Sequence, residues 1–319
     1  MSDHPPPSPS HWTLRAKLLG VLGTLVLVGI LVESTQPGVS IPSTTTPSAS
    51  VTTSIKFHHP TTTVTTNPAF TTPSAALNQR ARGCGLATSL PRRTVATSAI
   101  GHCSVLEIGD SLGTDLGWGL DSEMATTSTF RLHLMDKTST GLAATWFYDW
   151  PRQERSMLAR FHPNLLIVLL GANDQQAIRF DGRSYAFNTP SWRNRYAMLI
   201  RQVDSLATRA GSYVLWVGLP TMAPATFNAG VTVLNSLYQR VAHTVPGVTY
   251  LSTWGLFTNH RGHYRASAPV NHAKAVIRAP DGIHFSAIGG DVFATFVVDE
   301  IESIYHVRLH LDRPAFITN

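Results

Sequence analysis

From residue 104 onward, short apolar runs alternate with stretches in which apolar side chains recur every three or four positions. Residues 165–170 (LLIVLL) and 213–219 (YVLWVGL) are continuous apolar runs, the second stopped by Pro220, and residues 104–108, 131–135 and 248–251 are shorter ones. Runs of about four to eight apolar residues bounded by glycine, proline or asparagine read as strands buried on both faces. Between them Tyr196, Leu199, Ile200, Val203, Leu206 and Ala207 follow helical spacing, as do Leu234, Leu237, Tyr238 and Val241, and a last helix is expected over residues 287–305. This alternation predicts an α/β fold, a three-layer α/β/α doubly wound parallel sheet in which ligands gather at the carboxyl ends of the strands. Two polar tails sit at such ends: Gly109-Asp110-Ser111 after the first run, and Gly171-Ala172-Asn173-Asp174 after residue 170.

The pattern changes before residue 80. Residues 18–32 (LLGVLGTLVLVGILV) are uncharged and apolar and follow Arg15 and Lys17. That length lies between a signal-peptide core and a comfortable membrane span, so an uncleaved anchor and a cleaved signal both stay open. Positive charge ahead of the stretch predicts residues 1–17 in the cytoplasm and the rest of the chain outside. Residues 33–79 hold 26 Ser, Thr or Pro among 47 positions, a composition that buries too little surface to offset chain entropy and reads as a disordered linker. Residues 80–319 are left as the folded domain.

The net charge of +6 sits mostly outside that domain: residues 104–319 hold 18 basic and 17 acidic side chains. Nucleic acid is therefore not an expected partner. The two cysteines, Cys84 and Cys103, lie beyond the apolar stretch, and a disulfide between them is expected in an oxidising compartment. No Cys-x-x-Cys and no Cys/His ligand set occurs, so neither a metal nor a cofactor is implied.

The candidate chemistry lies in three blocks. Ser111 follows a strand through Gly109 and Asp110, which puts its hydroxyl on a turn at a helix N-terminus, where free backbone N–H groups can stabilise an oxyanion. A serine needs a base, itself oriented by an acid, and Asp281-Gly282-Ile283-His284 supplies both in one turn. Asp110 reads as structural, bonding neighbouring N–H groups. Asp174 reads either as the orienter of Asn173 or as a helix cap.

On these residues the chain resembles the SGNH, or GDSL-type, serine esterases and acyltransferases, with Gly109-Asp110-Ser111-Leu112, Gly171-Ala172-Asn173-Asp174 and Asp281-Gly282-Ile283-His284 in the family's order. The resemblance implies a flavodoxin-like α/β/α sheet, Ser111 as nucleophile, His284 as general base and then acid, and Asp281 as its orienting partner. Oxyanion donors would be the Ser111 N–H, the Asn173 amide and a glycine N–H after the second strand, assigned to Gly141. With the apolar stretch and the linker, the chain looks closest to bacterial cell-envelope members, tethered outside the membrane and acting on O-acyl groups of carbohydrate. Such modules are often partnered with a membrane-embedded acyltransferase, which leaves hydrolysis and acyl transfer both open. Trp118, Trp146, Trp150, Trp192 and Trp254 are candidates for stacking on sugar rings. A lipase or thioesterase of the same fold and a non-catalytic envelope binding module are the alternatives.

Overall fold

The computed structural model describes residues 64–65, 103–125, 127, 130–305, 307 and 316–318. Five parallel strands form the sheet: β2 (Cys103–Gly109), β3 (Phe130–Leu134), β4 (Leu165–Leu169), β7 (Tyr213–Val217) and β8 (Val248–Leu251). A two-residue strand, β1 (Val64–Thr65), adds antiparallel to the β8 edge, giving the order β1-β8-β7-β4-β2-β3. These two residues fall in the segment read as a linker. Both are β-branched, the type that suits a pleated edge.

Helices connect the strands: α1 (Ser111–Met124), α2 (Trp150–Phe161), α3 (Pro190–Arg209), α4 (Ala225–Ala242) and α5 (Ala287–Tyr305). Their starts follow local chemistry. The side chains of Asp110, Asp149 and Thr189 cap α1, α2 and α3, and α2 and α3 carry a proline in the first turn, where a missing N–H costs nothing. Helix α1 packs on α5, whereas α2, α3 and α4 pack in series. Right-handed crossovers place the two groups on opposite faces, because the chain leaves β2 for β3 in one direction and returns past β2 to β4 in the other. That reversal makes the gap between the carboxyl ends of β2 and β4 the topological switch point.

Every residue of β4 and β7 is buried, and Trp150, Trp192 and Trp216 are among the largest enclosed side chains. Each such apolar side chain contributes roughly 1.5–3 kcal/mol relative to exposure. Two hairpins stand apart from the sheet, β5 (Ile178–Phe180) with β6 (Arg183–Tyr185) and β9 (Ser267–Val270) with β10 (Ala273–Val276). Residues 18–32 lie outside the described residues, among which no helix is long and apolar enough to cross a membrane.

Candidate active site

The first site residue is set by the end of β2. Gly109 closes the strand, Asp110 takes the N-cap position, and Ser111 becomes the first residue of α1. Asp110 is fully buried and its carboxylate accepts three backbone bonds: from Leu112 N–H at 3.0 Å, Gly171 N–H at 2.9 Å and Ala172 N–H at 2.8 Å. Burial pushes this carboxyl up to about 7, against the downward pull of the three donors. Asp110 thus bolts the serine turn to the loop after β4, across the switch point. The Ser111 N–H, in the first helical turn, has no acceptor within the helix.

The base arrives on the loop before α5. His284 Nε2 lies 2.8 Å from Ser111 Oγ, and His284 Nδ1 lies 2.6 Å from Asp281 Oδ2. Asp281 Oδ1 accepts the N–H groups of Ile283 at 2.8 Å and His284 at 3.0 Å, so one carboxylate both folds the turn and aims the ring. Burial raises Asp281, but the bonds from the His284 ring and from the Ile283 and His284 N–H groups outweigh it and hold the carboxyl below its ordinary range. The turn depends on Gly282, which has φ +70° and whose missing Cβ would overlap Ala223.

Beneath the turn sits Arg278, 1% exposed. Its guanidinium donates to the carbonyls of Thr221 at 2.7 Å, Ile283 at 2.6 Å and His284 at 3.3 Å, and lies 4.4 Å from the Phe285 ring centroid. Burial lowers its pKa to about 10. From the serine side, Asp115 on α1 accepts the Phe285 N–H at 3.0 Å. The His284 loop is therefore held from below by Arg278 and from α1 by Asp115.

The oxyanion side is built from two loops. Asn173 Nδ2 donates to the Thr140 carbonyl at 2.8 Å, which leaves one amide hydrogen uncommitted and fixes the amide beside Gly141. Asp174, fully buried, neither orients Asn173 directly nor caps a helix. Its Oδ2 accepts Leu142 N–H at 2.9 Å and Tyr196 O–H at 2.6 Å, and its Oδ1 accepts Ala143 N–H at 2.7 Å. Burial raises this carboxyl, opposed by those three donors. The Gly141 N–H makes no hydrogen bond among the described residues.

The three blocks singled out in the sequence thus converge. Ser111, His284 and Asp281 form one hydrogen-bonded row, and Gly141 and Asn173 meet through Thr140. Cys103 is buried at the start of β2, but Cys84 lies outside the described residues. Thr140, Asp115 and Arg278 were not expected from the sequence, since their parts rest on contacts to residues 33, 170 and 57 positions away.

A family model covers residues 104–300, which include all three blocks. The chain belongs to the DUF459 family. That family is described as a protein of unknown function and is SGNH-like, in keeping with the blocks of this DUF459 member. A comparison with curated proteins found no match. Among solved structures, the chain is similar to the psychrotrophic esterase EstA from a Pseudoalteromonas species, at 12% identity, covering 64% of this chain and 99% of that one with a TM-score of 0.45. It is also similar to a GDSL-like lipase from Bacteroides thetaiotaomicron, at 15% identity, covering 72% and 98% with a TM-score of 0.43. At these scores neither likeness bears on what this DUF459 member does.

Proposed function

We propose that the protein is an extracytoplasmic serine-dependent ester hydrolase that works through an acyl-Ser111 intermediate on O-acyl, chiefly acetyl, groups of cell-envelope carbohydrate. The observation that carries the enzyme reading is the row in which His284 lies 2.8 Å from Ser111 Oγ and 2.6 Å from Asp281. In this reading His284 Nε2 takes the Ser111 proton as Oγ attacks the ester carbonyl, and Asp281 stabilises the imidazolium through Nδ1. The Ser111 N–H, the Gly141 N–H and the free Asn173 amide hydrogen receive the oxyanion. His284 then protonates the leaving alcohol, and water, activated by the same ring, releases the acid. A sugar hydroxyl in place of water makes the same intermediate an O-acyl donor, with a membrane-embedded acyltransferase as the partner that use implies.

The outward location is supported by the apolar residues 18–32 behind Arg15 and Lys17 and by the Ser/Thr/Pro-rich residues 33–79. The carbohydrate is supported by two exposed indoles, Trp118 on α1 and Trp146 in the loop after Gly141. A Cys84–Cys103 disulfide belongs to the same reading, and intact-mass measurement with and without reductant, after thiol alkylation, reads it out.

The deciding experiment is covalent labelling of the full chain with a fluorophosphonate, wild type against Ser111→Ala, with the adduct mapped by mass spectrometry. An adduct on Ser111 that disappears in the variant is the expected result, followed by acetyl release from acetylated glycans in preference to long-chain lipid esters. A folded wild-type chain that never labels removes the activated serine and leaves the binding module.

A further inference from the structure

At the end of the sheet opposite Ser111 lies a cavity of about 380 Å³, lined by Ser104, Arg131, His133, Arg160 and Phe161. Its walls follow from the strand register. Ser104 of β2 pairs with Arg131 of β3, and His133, two residues further along β3, shares the face of Arg131. The last turn of α2 closes the other side. Ser104 Oγ donates to the Phe161 carbonyl at 3.0 Å, which pins that turn to β2. The rings of His133 and Phe161 stack with centroids 4.2 Å apart and planes 22° apart, and the Arg160 guanidinium lies 5.1 Å from the Phe161 centroid.

The charge balance of this cavity is one-sided. Among the described residues no carboxylate lines it, and neither Arg131 nor Arg160 forms an ion pair. Burial and then the charges of Arg131 and Arg160 lower the pKa of His133, so the ring experiences a positive field. Arg160 suits the carbonyl end of α2, but Arg131, on a strand, has no such partner. Two exposed guanidiniums above a stacked pair of rings offer forked donors to a tetrahedral anion and an apolar floor to the group it is esterified to.

We propose that this cavity is a binding site for a phosphate ester, held by Arg131 and Arg160 with the organic group against His133 and Phe161. The site is separate from the ester chemistry. A phosphate on a lipid headgroup and a soluble phosphate ester are the two sources of that group.

The test uses the full chain in detergent, with glycerol 3-phosphate as the calorimetric probe, and the full chain on phosphatidylglycerol and phosphatidylcholine vesicles in a second arm. For a soluble source, glycerol 3-phosphate binds the wild type, and Arg131→Gln and Arg160→Gln each weaken binding by roughly tenfold. For a lipid source, soluble binding is weak, and the preference of the wild type for phosphatidylglycerol falls in the Arg131→Gln/Arg160→Gln chain. Residues 1–32 contribute equally to both proteins and so cancel in the comparison. The Arg131→Lys/Arg160→Lys chain, which keeps the charge, retains part of the binding, and ester hydrolysis is unchanged throughout. If wild type and glutamine variants bind both probes alike, or the wild type binds neither, the site does not exist.

Discussion

Asp115 accepts the Phe285 N–H at 3.0 Å, joining the nucleophile's own helix to the residue that follows His284. Burial pushes the Asp115 carboxyl up to about 6; the Phe285 N–H and the His284 ring pull it down, and Asp281 pushes it up. An ionised Asp115 therefore favours the imidazolium that forms as Ser111 gives up its proton. Asp115→Asn keeps an acceptor for Phe285 but removes the charge. Turnover above pH 7 should fall about three- to tenfold, in line with ~1 kcal/mol of lost charge stabilisation. Because wild-type Asp115 is itself neutralised below about pH 6, the ratio of wild type to variant should shrink toward one at lower pH. A ratio independent of pH would leave Asp115 a mere tether.

Asn173 gives one amide hydrogen to the Thr140 carbonyl and has one left. If that hydrogen meets the oxyanion, Asn173→Ala lowers turnover about 10²- to 10³-fold while changing the Michaelis constant little. Asn173→Asp should be at least as impaired, since it replaces a donor with a negative charge. Steady-state kinetics on an activated acetyl ester separates the two constants, and an unchanged turnover number would remove Asn173 from the oxyanion site.

Gly141 is packed against the Asp174 carboxylate so closely that a Cβ there would overlap Oδ1. The same carboxylate holds Leu142 and Ala143 N–H, so Gly141→Ala displaces the anchor of its own loop. The variant should lose about 1–3 kcal/mol of stability, as overpacked sites do, and at least tenfold in turnover. Denaturant midpoints and acetyl-ester kinetics on one preparation check both. A variant as stable and as active as wild type would mean the loop has room to move.

The parallel strands and the three blocks were legible because their signals are local. The run LLIVL of β4 is buried along its whole length, and Asp281 and His284 are three residues apart. Helix α2 was not read out, since its inward stripe is interrupted by the buried Glu154 and its remaining positions are largely polar. The β5–β6 hairpin was passed over although Asp181-Gly182, with φ of 51° and 67°, is a strong turn signal; the strands it joins are only three residues each and largely exposed. The role of Asp174 was out of reach for another reason: its partners lie 31, 32 and 22 positions away, and only the folded sheet brings them together.

Asp204 on α3 is fully buried, with Oδ1 accepting the Trp216 Nε1–H at 2.6 Å and Oδ2 without a hydrogen bond among the described residues. Burial pushes its carboxyl from 3.8 up to about 7, against the pull of Trp216 and Arg201. Glu154 on α2 is raised as well, by burial and then by Asp204. A carboxyl raised by folding binds its proton more tightly in the folded chain, so the stability it contributes is complete below about pH 4 and lost as pH rises through about 7. At about 1.4 kcal/mol per tenfold change in proton affinity, ionising Asp204 in place costs the fold up to roughly 4 kcal/mol. Asp110, also raised to about 7, acts in the same direction. The denaturant midpoint of the wild type should therefore be higher at pH 5.5 than at pH 8. Asp204→Asn keeps the acceptor for Trp216 and has no proton to lose, so its margin over the wild type should be smaller at pH 5.5 than at pH 8. A variant that tracks the wild type at both values would show that Asp204 does not ionise within the fold over this range.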